Sequence, residues 1–336
     1  MLINYKRIAM NRREFILSLT GVALSGSAFA KMNPLQQSPE IQRSKVSLVK
    51  TSDRASGIKK AINILGVNPV KGKDVLLKPN FNTADPFPGS THNDTLINLI
   101  LHLKEMGAKS ITIGERSGPT ETSDVLKEKG INDLCKKLDV KLINFEDLPR
   151  NGWVKIKPAG SHWNNGFDVA RQVLDSECIV TTCCLKTHGY GGVFTMSLKL
   201  SVGIASKSNM SELHSSFKSM RKMIAEINQA YKPSLILLDA IEAFVDGGPM
   251  TGTKKKADVI LAGTDRIAID AVGLSILKEL GSNKVIMGTK IFEQEQIARA
   301  VELGLGVKRP EDIEIVTDNE AGGKYAAKLK DILSEG

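Results

Sequence analysis

The stretch Asp74-Val-Leu-Leu-Lys-Pro-Asn80 decides the fold, because a short apolar run leads directly into polar residues. A run of this length is typical of a buried strand. A helical pattern with one broad apolar face follows, with Asp94 as its predicted cap and Gly107 as its predicted end. A second apolar run, Ser110–Gly114, comes next. A strand, a helix and a strand in this order predict a βαβ unit, and therefore a parallel sheet.

The same alternation continues along the chain from Val46. We predict strands at Asp74–Leu77, Ser110–Gly114, Val140–Asn144, Glu177–Thr182, Leu235–Leu238 and Asp258–Ala262. Further helices are predicted at Glu212–Gln229, at Arg266–Leu280 with Asp265 as its N-cap, at 285–304 and at 321–334. Residues 150–175 have no regular period and predict an irregular inserted segment. The sequence therefore predicts an α/β domain over residues 46–336, with a mainly parallel sheet flanked by helices.

Composition and charge exclude several classes of protein. The chain has 336 residues, of which 41% are hydrophobic and 25% charged, as in ordinary globular proteins. Its formal charge is +9, and residues 1–30 contribute a net +3 of this. The other positive residues are scattered among acidic ones and only 5% of residues are aromatic, so we expect no dedicated nucleic-acid binding. A small anionic ligand fits this charge better.

The amino terminus resembles a twin-arginine export signal. Arg12 and Arg13 precede an apolar run, and small residues at its end place the expected cleavage after Ala30. The apolar stretch Phe15–Ala30 is shorter than the roughly 20 residues that span a bilayer, so we expect no stable membrane anchor. Residues 1–30 are thus a predicted signal peptide, for which Met1 and Met10 are both possible starts. Residues 31–45 are a predicted flexible leader, the twin-arginine translocase is the expected partner, and the expected location is periplasmic or extracytoplasmic.

The chain contains only four cysteines, which are Cys135, Cys178, Cys183 and Cys184. No Cys-x-x-Cys occurs, and this excludes the common iron–sulfur and zinc-ribbon spacings. A chain of this length does not need disulfides for stability. We expect all four to be buried thiols of the core.

Polar residues follow the predicted strands, where an open parallel sheet binds its ligand. Such residues occur after five strands, and together they predict one crevice. Glu115–Gly118 follows the second strand and Glu242 follows a later one. The residues that we predict to bind the ligand are Lys78, Asn80, Lys186, Lys199, His214, Asp239 and Asp265.

The richest stretch runs from Cys184 to Lys199. Glycines at 189, 191 and 192 would allow backbone amides to approach a phosphate or carboxylate, and Lys186 and Lys199 add positive charge. Neither the Walker spacing nor Gly-x-Gly-x-x-Gly is present. His188 is the predicted catalytic residue and would transfer a proton. His92, His188 and His214, with Asp239 or Asp246, would also suit a metal site, but their spacing requires none, so metal and cofactor stay open.

Several separated motifs resemble the uncharacterised family known as domain of unknown function 362. They lie within residues 74–280 and are Val75–Asn80, Thr91-His92, Gly107-Ala108, Ile113–Glu115, Leu185–His188, Ser197–Lys199, His214, Leu238–Ala240, Gly247–Pro249 and Thr264–Asp270. The family has no settled activity. Many members carry a following ferredoxin-type cluster domain, which implies a redox association, but this chain lacks such cysteines and has Cys183-Cys184 in place of the usual apolar and proline residues. In its lysines and histidines the chain also resembles the nickel-pincer lactate racemases.

Together these observations predict an exported enzyme of unknown reaction with a crevice for an anionic ligand or cofactor. Lys186 and Lys199 would bind the anion, and His188 would transfer the proton. The alternative is a non-catalytic periplasmic binding or maturation factor for a redox enzyme. An enzyme is expected to bury a histidine or lysine whose pKa is strongly shifted, beside a carboxylate.

Overall fold

The computed structural model describes residues 43–336. Its strands are β1 (Ser44–Lys50), β2 (Asp74–Lys78), β3 (Ser110–Glu115), β4 (Lys141–Asn144), β5 (Trp153–Ile156), β6 (Phe167–Ala170), β7 (Cys178–His188), β8 (Val193–Thr195), β9 (Leu235–Gly247), β10 (Gly252–Gly263) and β11 (Ile313–Thr317). Its α-helices are α1 (Arg54–Leu65), α2 (Asn93–Glu105), α3 (Thr122–Glu128), α4 (Ile131–Lys137), α5 (Arg171–Asp175), α6 (Ser197–Leu200), α7 (Met210–Ser215), α8 (Met220–Ile227), α9 (Arg266–Glu279), α10 (Lys284–Gly288), α11 (Glu295–Glu302) and α12 (Glu320–Glu335).

The predicted signal peptide, its two possible starts and most of the predicted leader lie outside the described residues. Ser44 and Lys45 already belong to β1, so the leader cannot extend to residue 45 as predicted. No helix in residues 43–336 has both the length and the apolar character that crossing a membrane requires.

One large sheet organises the fold. Within the described residues it has nine strands, in the order β11-β1-β10-β9-β7-β2-β3-β4, with β8 paired to β7. Most neighbours are parallel; β10 is antiparallel to both β1 and β9, and β8 is antiparallel to β7. The structure therefore confirms the predicted α/β fold with a mainly parallel sheet.

Helices cover both faces of this sheet, and successive strand residues explain why. Leu237 packs with α1 and α2 on one face, whereas the next residue, Leu238, packs with α9 on the other. Side chains alternate between the two faces of a strand, so a strand buried on both faces is apolar at consecutive positions. This is the pattern that the sequence shows in its short apolar runs.

Several predicted boundaries are wrong. β7 and β9 extend well beyond their predicted ends, β10 begins six residues before its predicted start, and β1 and β11 were not among the predicted strands. The predicted helix Glu212–Gln229 is divided into α7 and α8, and residues 285–304 are divided into α10 and α11. The N-cap of α2 is His92, whose ring accepts from the Asp94 N–H at 3.1 Å, and Asp94 lies in the first turn.

Other local predictions are confirmed. Gly107 ends α2 with φ of +88°, a conformation that glycine adopts without strain. Asp265 caps α9 and accepts from the N–H groups of Ile267 and Ala268. The irregular insertion contains short 3-10 turns and α5, and its β5–β6 hairpin forms a separate two-stranded sheet.

Candidate functional site

A cavity of about 510 Å³ lies beyond the carboxyl ends of β2 and β3 and beside the end of β7. This volume is in the range of small-molecule sites. Its walls come from four parts of the chain. The lining residues are Lys78, Asn80, Phe81, Asn82, Glu115, Arg116, Gly118, Pro119, Lys186, His188, Tyr190, Thr195, Lys199, Leu200, Val202, Gly203, Lys207, Met210, His214, Pro249 and Met250.

The structure brings together six of the residues singled out from the sequence. They are Lys78, Asn80, Lys186, His188, Lys199 and His214, of which His214 is exposed at the rim. Four of them meet because of the sheet order, since β2 lies next to β7 and the two strands run in the same direction. Lys199 and His214 reach the cavity from the short helices α6 and α7. Polar residues that follow adjacent parallel strands therefore meet at one edge.

Asp239 and Asp265 do not line this cavity, so the structure gives no support to their predicted contact with the ligand. Asp239 pairs with Arg54 at 2.8 Å and also accepts from the Thr95 hydroxyl. Asp265 caps α9 and accepts from the Val307 N–H at 2.8 Å. Both carboxylates thus join separate segments of the backbone.

One wall of the cavity contains a buried ion pair between Lys78 and Glu115. Lys78 also donates to the Pro79 carbonyl at 2.7 Å, and Glu115 accepts from the N–H of Phe81 at 2.9 Å. Burial raises the pKa of Glu115 and lowers that of Lys78, while the attraction between their charges opposes both shifts. The pair joins the ends of β2 and β3.

Arg116 lies on the same wall and connects β3 to the segment after α6. Its guanidinium donates to the carbonyls of Ala205 and Ser117, each at 2.7 Å, and to that of Val202. Burial lowers its pKa to about 10, so it stays charged at neutral pH. Each of its three guanidinium nitrogens donates within the protein, so its role in the cavity is to fix the wall and supply positive charge.

Lys186 is completely buried in β7. Its ammonium group donates to the carbonyls of Gly89 and, at 3.1 Å, of Pro249. These acceptors are neutral, and desolvation lowers the pKa of Lys186 to about 8. Lys186 therefore places a positive charge at the cavity that no carboxylate within the 4 Å ion-pair distance in residues 43–336 neutralises.

Lys199 projects from α6 and is half-buried in the cavity wall. Within residues 43–336 its amine has neither a hydrogen-bond acceptor nor an ion-pair partner. Desolvation, together with the charges of Lys186 and Arg116, lowers its pKa to about 7. Lys199 thus differs from Lys78, whose ammonium group is paired with a carboxylate, and from Lys186, whose ammonium group donates to carbonyls.

The short helix α6 is held in place by buried side chains of other elements. The Asp270 carboxylate of α9 accepts from the N–H groups of Ser197 and Leu198 at 2.7 and 2.9 Å. The Asn228 carboxamide donates to the Leu198 carbonyl at 2.9 Å. A helix of four residues is not stable alone, so these contacts fix the position of Lys199.

His188 ends β7 beside Lys199. Burial, with the positive charges of Lys199 and Lys186, lowers the pKa of His188 to about 2, so its ring is neutral at physiological pH. Its Nδ1 is buried and has no hydrogen-bond partner in the part of the chain that the structure describes, and the hydroxyl of Thr195 is in the same condition. Two polar groups of this wall are thus left without a partner.

The glycine-rich loop does not have the predicted role of an anion cradle in this cavity. Residues 189–192 form the turn between β7 and β8, and of these only Tyr190 lines the cavity. The importance of Gly192 is its lack of a side chain. A Cβ at that position would lie 2.8 Å from Lys199 Cε and 2.9 Å from His188 Nδ1, so glycine leaves room for both side chains.

The cavity has a strong excess of positive charge. Five cationic side chains line it (Lys78, Arg116, Lys186, Lys199 and Lys207), against the single carboxylate of Glu115. Among residues 43–336, no three or more histidine, cysteine, aspartate or glutamate side chains are grouped as metal ligands would be. The donor groups of this cavity are those expected to bind an anion.

The four cysteines are free and buried, as predicted for core thiols. Burial raises the pKa of Cys184 to about 11 and that of Cys183 well above its usual value. Both thiols are therefore protonated at neutral pH, and the thiolate is the form that acts as a nucleophile or metal ligand.

The model of the family described as domain of unknown function (DUF362) matches residues 75–275. The chain belongs to this family. Every residue of the cavity lies within the matched region of this DUF362 protein, and so does Asp270. The family description assigns no function, so the chemistry rests on the geometry above.

Comparison with solved structures gives distant likenesses to this DUF362 chain. The lactate racemase apoprotein from Thermoanaerobacterium thermosaccharolyticum is 12% identical, with a TM-score of 0.44 and coverage of 88% of each chain. A structural-genomics target protein from Thermotoga maritima is 18% identical, with a TM-score of 0.42 and coverage of 67% of this chain and 56% of its own. Among curated proteins, none matches the chain.

Three functional positions were not identified from the sequence. Glu115 and Arg116 were noted as polar residues after a strand, and Glu115 also as part of a family motif, but their role in the cavity wall depends on contacts with distant segments. Asp270 is in a family motif, but its hydrogen bonds are to residues more than 70 positions away. A buried acid inside an otherwise apolar helix face is the signal that would have identified it.

Proposed function

We propose that the cavity binds a small anionic metabolite with a carboxylate or phosphate group, and that this protein is an enzyme acting on that metabolite. The observation that carries the proposal is the unpartnered amine of Lys199 in a wall whose positive charges lack a carboxylate. A buried cation without a counter-ion is costly, and an anionic ligand would remove that cost.

The cavity residues have distinct roles in this proposal. Lys199 forms the direct ion pair with the ligand. Lys186 adds positive charge, and two of its three ammonium N–H groups already donate to carbonyls of the protein. Asn80 lines the cavity and its carboxamide has no partner within residues 43–336, so it is available to the ligand. The neutral ring of His188 donates or accepts a hydrogen bond, and anion binding would raise its pKa toward the range of a proton-transfer group.

The reactivity of Lys199 favours an enzyme over a binding protein. With a pKa of about 7, an appreciable fraction of this amine is unprotonated at neutral pH. An unprotonated amine is a base and a nucleophile, whereas simple anion binding needs only the ammonium form. Displaced pKa values of this kind are typical of catalytic groups, and here one is placed in a cavity.

Calorimetry with inorganic phosphate and with pyruvate tests binding. We expect Lys199→Met to weaken the binding of the preferred anion about 10- to 100-fold, the loss that corresponds to one charge-assisted hydrogen bond. Lys330→Met, at an exposed position on α12, is the matched control and should bind as the wild type does. Equal affinity of the Lys199 variant and the wild type would remove the proposed anion site.

Export is a separate part of the proposal and rests on the amino-terminal sequence alone. We expect the protein to leave the cytoplasm by the twin-arginine pathway, with cleavage after Ala30. Arg12→Lys and Arg13→Lys together should leave an uncleaved precursor in the cytoplasm, as judged by fractionation and amino-terminal sequencing. Normal processing of the double variant would exclude this route.

A further inference from the structure

We propose that Lys199 is a nucleophile that forms an imine with the carbonyl carbon of an aldehyde or ketone bearing a carboxylate or phosphate group. This inference rests on the proposed anion site and assigns it a substrate class. The argument uses the accessibility of the amine, its fixed position and the charges around it.

The amine of Lys199 is accessible to a small molecule. The side chain lines a cavity of about 510 Å³, and no acceptor in residues 43–336 competes for its nitrogen. Gly192 leaves space beside Lys199 Cε that any larger residue would occupy. A carbonyl compound in the cavity can therefore reach the nitrogen without displacing a protein group.

The backbone beneath Lys199 is fixed. Asp270 holds the start of α6 and Asn228 holds the Leu198 carbonyl, both from buried positions. A nucleophile reacts efficiently when it is held within a narrow range of positions relative to the reacting carbon. A lysine that served only to bind a diffuse anionic charge would not require such anchoring.

The surrounding charges favour an unprotonated amine at Lys199 and a negative group on its partner. Desolvation, together with the charges of Lys186 and Arg116, lowers the pKa of Lys199 to about 7, whereas Lys186 and Arg116, with pKa values of about 8 and about 10, remain mostly protonated at neutral pH. A neighbouring cation and desolvation are the two usual ways in which a lysine is activated for imine formation. Lys78 and Lys207 are paired with carboxylates, the first with Glu115 and the second with Glu121 and Glu146. The pKa of Lys186 is also lowered, to about 8, but its ammonium group donates to the carbonyls of Gly89 and Pro249, so Lys199 is the cavity lysine whose amine has no acceptor in the described residues.

The reaction is balanced without a redox partner. The lone pair of the Lys199 nitrogen attacks the carbonyl carbon, a C–N bond forms, and the carbonyl oxygen takes a proton to give a carbinolamine. The hydroxyl group then leaves as water after a second protonation, and a protonated imine remains. The nitrogen gives up one of its two amine protons and the protonated imine retains the other, so overall one proton is taken from solvent and one water is released.

Reductive trapping tests this inference. The purified chain is incubated at pH 7 with pyruvate and sodium cyanoborohydride, and the modified lysines are identified by peptide mass spectrometry. We expect Lys199 to be modified at least about tenfold faster than any other lysine, since surface lysines with ordinary pKa values are almost fully protonated at that pH. The rate at Lys199 should rise with a midpoint near pH 7, as its pKa requires.

Matched variants and a competitor separate this inference from the proposed function. Lys199→Arg keeps the positive charge but cannot form an imine, so it should bind phosphate and show no adduct at position 199. Inorganic phosphate should slow trapping in the wild type, and acetone, which has no anionic group, should be trapped much more slowly than pyruvate. Lys330→Arg should be trapped at Lys199 as the wild type is.

Two results would overturn the inference. If the wild type binds phosphate or pyruvate but Lys199 is trapped no faster than surface lysines, the anion site stands and imine formation is excluded. If neither anion binds and Lys199 is not trapped, both the imine inference and the proposed function are wrong. Thermal denaturation of each variant shows whether a missing adduct reflects a loss of folding.

Discussion

The two walls of the cavity differ in the partners that their positive side chains have within the protein. On one wall Lys78 is paired with Glu115, and Arg116 donates to several carbonyls of the protein. On the other, Lys186 has only neutral acceptors and Lys199 has no acceptor within the described residues. Both walls carry cations at the ends of neighbouring strands, so residue type alone does not distinguish them.

The difference shows which charges serve the fold and which are left for a ligand. A buried cation that meets its carboxylate within the chain contributes to a fixed structure, and removing the carboxylate exposes the full cost of desolvation. A cation without one lowers stability until something binds to it. We therefore expect mutations in the paired wall, which contains Lys78, Glu115 and Arg116, to change mainly the stability of the fold. Mutations in the unpaired wall, which contains Lys186 and Lys199, should change mainly ligand binding.

The largest expected effect is on the paired wall. Glu115→Gln leaves Lys78 buried without a counter-charge and should lower the free energy of unfolding by about 3–5 kcal/mol. Chemical denaturation of variant and wild type measures this. Glu302→Gln, which removes an exposed partner of Arg299, should change stability by less than about 1 kcal/mol.

A double variant sharpens the same prediction. Lys78→Met combined with Glu115→Gln removes the buried ammonium group that the single variant leaves unpaired. The double variant should recover much of the lost stability, because the loss comes from burying an unpaired ion. No recovery in the double variant would mean that Glu115 acts mainly through its bonds to the Phe81 and Arg116 N–H groups.

The second largest effect is expected for Asp270, which holds the helix α6 that carries Lys199. Asp270→Asn can accept from only one of the two N–H groups at the start of α6, and should cost about 1–3 kcal/mol of unfolding free energy. Amide hydrogen exchange should show lower protection at residues 197 and 198. Asp331→Asn, on the exposed side of α12, is the control and should change neither quantity.

The case of Asp270 shows how far the sequence predicts this fold. Strand-length apolar runs gave the class and direction of the sheet, because a strand buried on both faces must be apolar throughout. They did not give the full length of β7, β9 and β10, whose additional segments contain charged residues among the apolar ones and pair with neighbouring strands. Nor could periodicity place Asp270, because its partners belong to a segment far away in the chain.

For the site, strand ends were a good guide and residue roles were not. Lys78 and Lys186 lie on the cavity, as parallel strands with a common edge require, and Lys199 lies on it from the short helix α6. Which of them is paired depends on where Glu115 and the carbonyls of Gly89 and Pro249 lie, and that is set only by tertiary packing. Asp239 follows the predicted strand Leu235–Leu238, but it lies inside β9, and its carboxylate pairs with Arg54 of α1.

Replacing Lys199 should have a smaller effect on stability than replacing Glu115, and it should raise stability where the Glu115 variant lowers it. Lys199→Met removes a poorly solvated cation and should raise the free energy of unfolding by about 1–2 kcal/mol at pH 6, after allowance for the partial exposure of the side chain. Thermal or chemical denaturation between pH 6 and pH 10 measures this difference. Phosphate should reduce it by stabilising the wild type alone.

The sign follows from proton binding. The pKa of Lys199 is lowered to about 7 in the folded state from its ordinary 10.5, so between these values the unfolded chain binds more protons. The wild type therefore gains stability as pH rises through this window, whereas the methionine variant lacks this gain. The extra stability of the methionine variant over the wild type should be greatest below pH 7 and should vanish above about pH 10. An advantage that does not change with pH would mean that Lys199 is charged at all of these pH values in the fold.

The smallest expected effect tests whether pairing, and not charge alone, decides what a cavity cation does. Lys207 lines the cavity as Lys199 does, but it is held by Glu121 at 2.7 Å and Glu146 at 2.5 Å, and these carboxylates raise its pKa. Lys207→Ala should change unfolding free energy by no more than about 1 kcal/mol and phosphate affinity by less than about threefold, because its charge is already neutralised and exposed to solvent. Calorimetry at low and moderate salt compares it with Lys199→Met. If both variants lose phosphate affinity equally, the cavity attracts anions through its total charge, and the distinction between its two walls has no functional meaning.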